Sequence, residues 1–166
     1  MVILEVAIIF VVVCVLAVII NGIEDYCTSN SLVRWSFTDS MGRLKLPVVS
    51  LTNNCQSFNF LIDTGATLSL VDSNALDKLA YTKMETTGNA YGVDGNIIPV
   101  EYARIELNHK KTKFVDEFQI MRVDAFDNIK ESNKIEIVGI LGSTFLKRYD
   151  FTINYKDLII SAKKDK

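Results

Sequence analysis

Asp63 stands at the end of an apolar run, Phe58-Asn59-Phe60-Leu61-Ile62, and is followed by Thr64-Gly65-Ala66 and a second apolar run, Leu68-Ser69-Leu70-Val71. A carboxylate placed where two strands head for burial must be hydrogen-bonded, paired or protonated, because desolvating it alone is costly. Held by hydrogen bonds, Asp63 is a turn residue that accepts from the Gly65 or Ala66 amide. Held beside a second carboxylate with one proton between them, it can do acid–base chemistry on a bound water. Other chemistries lack their residues. His109 is the only histidine and sits in Asn108-His109-Lys110-Lys111, which reads as a polar hairpin turn at the surface, so His-based triads and His-rich metal sites are excluded. Cys14 lies inside an apolar run, and Cys27 and Cys55, 28 positions apart, read as free thiols, neither a disulfide framework nor a zinc site.

The elements that position Asp63 are short strands. From Ser36 onward, apolar segments alternate with Asn, Asp, Gly and Lys clusters: Leu44–Leu51, Ser57–Ile62, Thr67–Val71, Ile97–Leu107, Phe114–Val123, Ile135–Leu141 and Phe151–Ile160. That spacing predicts a mainly β domain. Period-two alternation is clearest where Phe151, Ile153 and Tyr155 face one way and Thr152 and Asn154 the other. Two short helices fit between strands, Ser73–Ala80 capped by Ser73 and Ser143–Tyr149 capped by Ser143. Arg122–Lys134, with charges of both signs, reads as a polar loop, and Glu24–Thr38 as a connector.

The order of motifs carries a resemblance. An apolar strand, Asp63-Thr64-Gly65-Ala66, a second apolar strand, then Ile140-Leu141-Gly142 before Ser143-Thr144-Phe145-Leu146, and a terminal Tyr149–Tyr155 segment turning at Lys156-Asp157, resembles the retropepsin-like aspartic proteases. The resemblance spans roughly Leu44 to Ser161. It implies a retropepsin-like acid-protease half-barrel with short helices, and an aspartic endopeptidase that needs no metal and no organic cofactor. Asp63 is then the catalytic carboxylate and Thr64, Gly65 and Ala66 its loop, with Thr64 cross-linking two such loops across a dimer. Gly65 would allow close backbone approach, and Gly142 would let the Asp63 loop pack against the Ile140-Leu141 strand.

With one Asp-Thr-Gly in the chain, the second carboxylate comes from a second copy, so the resemblance implies a two-fold homodimer. Two carboxylates that close cannot both ionise, which favours activity on the acidic side of neutral. An extended polypeptide substrate would lie in the cleft between the copies. The family's flap maps to Tyr91, Gly92, Val93, Asp94 and Gly95, where Asp94-Gly95 is a hairpin turn signal. Two departures stand out: Asn154 occupies a position where the family often has Asp, and Leu158–Ser161 is the one evident terminal-strand interface. The same fold without catalysis would be a peptide-binding or dimerisation module, the alternative reading.

The N-terminus differs in composition from the rest. The chain has 166 residues and is 49% hydrophobic, and 20 of the first 23 residues are apolar. Val2–Ile20 is interrupted only by Glu5, and nineteen helical residues reach about 28 Å, the depth of a hydrocarbon core. Residues 1–23 therefore read as one N-terminal transmembrane helix, 24–38 as a connector and 39–166 as the protease domain. The expected location is a single-pass membrane protein, with export after signal cleavage as the alternative. A formal net charge of −2 leaves no basic excess for nucleic acid.

Overall fold

The computed structural model describes residues 13–19, 32–91 and 97–163. The chain divides into two units, Met1–Leu32 and Val33–Lys166. In the first, residues 13–19 are helical and exposed. Among the described residues no helix is long and apolar enough to cross a membrane, and most of the predicted span at 1–23 lies outside them.

The second unit is mainly β with short helices. In chain order it runs β1 (Leu32–Ser36), α1 (Thr38–Arg43), β2 (Val48–Asn53), β3 (Gln56–Ile62), β4 (Leu70–Asp72), a 3-10 helix (Ser73–Lys78), β5 (Tyr81–Tyr91), β6 (Ile97–His109), β7 (Thr112–Met121), α2 (Asp124–Asn133), β8 (Ile137–Leu141), α3 (Ser143–Arg148), β9 (Thr152–Asn154) and β10 (Ile159–Lys163). Seven strands form one sheet in the order β2-β3-β8-β4-β7-β6-β5, with an added β2–β6 pairing that curls it toward closure. A second sheet, β1-β10-β9, holds the first and last strands together.

Alternation explains the burial. In β3, Phe58, Phe60 and Ile62 point inward, and in β6, Ala103, Ile105 and Leu107 do the same. They meet an aromatic cluster in which Phe114 lies 4.9 Å from Tyr149 edge-on and Phe145 lies 5.0 Å from Tyr149. Tyr149 also mends a sheet edge: its hydroxyl accepts from the Val115 amide at 2.7 Å and donates to the Val115 carbonyl at 2.8 Å. That bond pins α3 against the part of β7 that the short β4 does not reach.

Several elements differ from the sequence expectations. The segment read as a polar loop, Arg122–Lys134, contains α2. Its few apolar residues, Phe126 and Ile129, pack on Val48 and Ile137, and Asp124 and Asp127 in its first turn suit the positive end of the helix. Arg122 ties it down by pairing with Asp124, with Asp127 and with the buried Asp72. The segment read as a connector contains β1, whose Val33 and Trp35 are buried and continue a period-two pattern to Phe37. Phe151–Ile160 is two strands around the Lys156-Asp157 turn, and Tyr155 is exposed although Ile153 is partly buried. His109 is partly buried against Trp35, ring centroids 4.3 Å apart, because the hairpin end folds back under β1.

The two expected helices form, with different caps. Asp72 caps the 3-10 helix by accepting from the Asn74 amide at 3.1 Å. Gly142, not Ser143, is the cap residue of α3, and the Ser143 hydroxyl is used elsewhere.

Candidate active site

Two parallel neighbours deliver the site. β3 and β8 run side by side, with Leu61 opposite Ile140 and Ile62 opposite Leu141. Asp63 and Gly142 therefore leave adjacent strand ends together, and the Asp63 amide donates to the Leu141 carbonyl at 3.2 Å. The chain then turns, with the Ala66 amide donating to the Asp63 carbonyl at 3.3 Å and the Gly65 amide to Asp63 Oδ1 at 2.8 Å. The Gly65 bond fixes the carboxylate through one oxygen, and Asp63 stays partly exposed with no cation paired to it among the described residues.

The loop is braced from behind by α3 and the residue before it. The Ser143 amide donates to the Ala66 carbonyl at 2.8 Å and the Thr144 amide to the Thr67 carbonyl at 3.1 Å. The Ser143 hydroxyl donates to the Thr64 carbonyl at 2.7 Å and the Thr144 hydroxyl to the Thr67 carbonyl at 2.9 Å. The Gly142 amide donates to Oγ of Ser69, which is fully buried.

This packing leaves no room at Gly142: a Cβ there would lie 2.5 Å from the Leu68 carbonyl oxygen and 3.0 Å from that of Ala66. Gly65 is less constrained, since a Cβ would come 3.2 Å from Asp63 Oδ1, and its amide is what the site uses.

The structure thus brings Asp63, Thr64, Gly65 and Ala66 against Ile140, Leu141 and Gly142. Thr64 and Gly65 face solvent, and Ala66 is half-buried. Of the flap residues, Tyr91 ends β5 and pairs with Ile97, which begins β6; Gly92, Val93, Asp94 and Gly95 lie outside the described residues. Sequence reasoning missed Ser69, Ser143 and Thr144 as the residues that hold the loop. Ser69 carried a signal, a lone polar residue within an apolar run. Ser143 and Thr144 carried none, because their partners are backbone carbonyls 77 and 79 positions away.

A strand-borne Asp-Thr-Gly loop locked against a hydrophobic-hydrophobic-Gly strand defines an acid-protease half-barrel. Residues 49–145, more than half of the chain, match the family model described as aspartyl protease. The chain belongs to that family, as a retropepsin-like member with one Asp-Thr-Gly. Among solved structures the chain is similar to the EIAV protease complexed with the inhibitor HBY-793, at 20% identity over 63% of this chain and 88% of that one, with a TM-score of 0.48. No curated protein sequence matches significantly.

Proposed function

We propose that the protein is an aspartic endopeptidase active as a homodimer, with Asp63 of each copy forming the catalytic pair. The observation that supports this most directly is that Asp63 is fixed through one oxygen by the Gly65 amide, in a loop braced by five bonds from Gly142, Ser143 and Thr144, while remaining open to solvent. A turn carboxylate with only a structural task has no need of that bracing.

In the dimer the two Asp63 carboxyls share one proton. The ionised one takes a proton from the bound water as its oxygen attacks the scissile carbonyl carbon, and the protonated one gives its proton to the carbonyl oxygen. The resulting gem-diol collapses as the protonated Asp63 gives its proton to the amide nitrogen, the other Asp63 takes one from a gem-diol hydroxyl and the C–N bond breaks, which releases acid and amine products and leaves the pair with its single proton. Thr64, which is exposed, bonds across the two-fold axis in this reading. The polypeptide lies extended beneath the β5–β6 hairpin.

The test is cleavage of a mixed peptide pool by the purified full chain from pH 4 to 7, at several protein concentrations, beside Asp63→Asn. Cleavage that is lost in the variant and rises faster than linearly with concentration is expected. A folded dimer that cuts nothing would overturn catalysis and leave a peptide-binding module.

From sequence alone we also propose that residues 1–23 tether the domain to a membrane as a single pass. Retention of the full-length chain in membranes after alkaline carbonate extraction is the expected result. Recovery of a mature chain whose first residue lies beyond residue 23 would support the export alternative.

A further inference from the structure

A cleft of about 380 Å³ opens beside the Asp63 loop. Leu68, five residues beyond Asp63, forms one wall, and Tyr102 and Gly88 in the β5–β6 hairpin form another. Gly88 makes room for the tyrosine, since a Cβ there would lie 2.8 Å from the Tyr102 hydroxyl. The floor is Asp116 on β7 and Arg148 on α3, with Thr144 between Arg148 and the loop. The cleft is therefore contiguous with the site, joined to it by the same Thr144 that bonds the Thr67 carbonyl.

The charges of the floor are unequal in access. Asp116 is buried, its side chain 6% exposed, whereas the Arg148 side chain is 54% exposed. Among the described residues only Nη1 of Arg148 is engaged, donating to Asp116 Oδ1 and, at 3.4 Å, to the Val115 carbonyl. Nε and Nη2 have no partner among the described residues. Burial pushes the Asp116 carboxyl above its ordinary range, opposed by the Glu117 amide and by Arg148. The buried carboxylate thus needs the guanidinium and holds it in place, and the remaining donors form a fork of the kind that grips a carboxylate through two bonds. Glu117 also borders the cleft, on the face of the sheet that carries Tyr102, with Arg104 as its cross-strand partner there.

We propose that this cleft is a substrate side-chain subsite in which Arg148 receives a carboxylate, so that the enzyme selects polypeptides carrying Asp or Glu a fixed distance from the scissile bond. The carbon stem of the substrate side chain lies against Leu68 and the Tyr102 ring. Asp116 is a positioning residue that acts through Arg148. This selection rests on the endopeptidase reading, and the experiment separates the two.

The purified full chain is profiled on a peptide pool randomised around the cut, and the Asp63→Asn chain is titrated by fluorescence anisotropy with peptide pairs that differ only by Glu or Gln at each position in turn. The expected result is an enrichment of Asp and Glu at one position by about fivefold, weakened by salt. Arg148→Gln should erase it and Arg148→Lys, which keeps a cation beside Asp116, should retain part of it. Cleavage with no acidic preference overturns the subsite and leaves the protease. Glu-selective binding without any cleavage overturns the protease and keeps the subsite. Neither cleavage nor Glu-selective binding overturns both, and the wild-type profile decides the matter even if a variant fails to fold.

Discussion

The loop that carries Asp63 and the β5–β6 hairpin are built by opposite means. The loop is fixed by bonds from residues almost eighty positions away, and its Gly142 contact is closer than a methyl group tolerates. Beyond Glu101, the described residues of the hairpin, Gly88–Tyr91 and Ile97–Val100, pair with each other and not with β7, after a register shift between Lys83 and Thr87 and an exposed Lys83–Glu101 pair. On the endopeptidase reading proposed above, the loop gains from being held still before substrate arrives, whereas the hairpin, as a cover, must admit the substrate first. Substitutions in the loop should therefore register in stability, and substitutions in the hairpin mainly in turnover.

Gly142→Ala is the severest way to break that contrast. The added Cβ meets backbone, not a movable side chain, so a loss of about 3 kcal/mol is expected in denaturant unfolding. A loss below about 1 kcal/mol would mean the loop can yield and is less rigidly seated than the geometry states. Thr144→Val comes next, at about 1 kcal/mol, because the hydroxyl bond to the Thr67 carbonyl goes while the amide bond to the same oxygen stays.

Gly88→Ala displaces only the end of the Tyr102 side chain, so kcat/KM on a good peptide should fall severalfold while the unfolding midpoint hardly moves. Equal effects on both quantities would erase the distinction between loop and hairpin.

His109 sharpens the comparison from a third place. Burial lowers its pKa, with the nearby Lys110 adding to the shift and a bond to the Arg34 backbone opposing it. The unfolded chain then takes up the proton first as pH falls, so stability drops below about pH 6.5. Denaturant midpoints at pH 7.5 and 5.0 should separate less in His109→Phe, which keeps an aromatic ring against Trp35. The smallest effect is expected for Lys83→Ala, whose exposed ion pair should leave the midpoint unchanged within error.

What sequence alone revealed follows from where the information sits. Asp63 and Gly142 were legible because a carboxylate and a glycine at the ends of apolar runs are costly choices with few other uses. α2 was not, because Asp124–Asn133 has only a thin apolar edge and depends on Arg122 reaching the buried Asp72, fifty positions away. β5 was missed for a related reason. Tyr81–Tyr91 has no Val, Ile, Leu or Phe, and it is a strand because β6 offers it partners from Tyr81–Ile105 to Tyr91–Ile97. β1 was obscured by its place after the apolar N-terminus, although Val33, Trp35 and Phe37 alternate as a half-buried strand should.

The placement of β10 between β1 and β9 bears on how the molecule comes into being. Roughly 120 residues separate β1 from β10, so that contact closes a very long loop, and its entropic cost is met only after the intervening sheet has shortened the path. On a ribosome, β1 emerges early and waits for nearly the whole domain to be made. The strand that follows the apolar N-terminal segment is thus the first of this sheet to be synthesised and among the last to be seated.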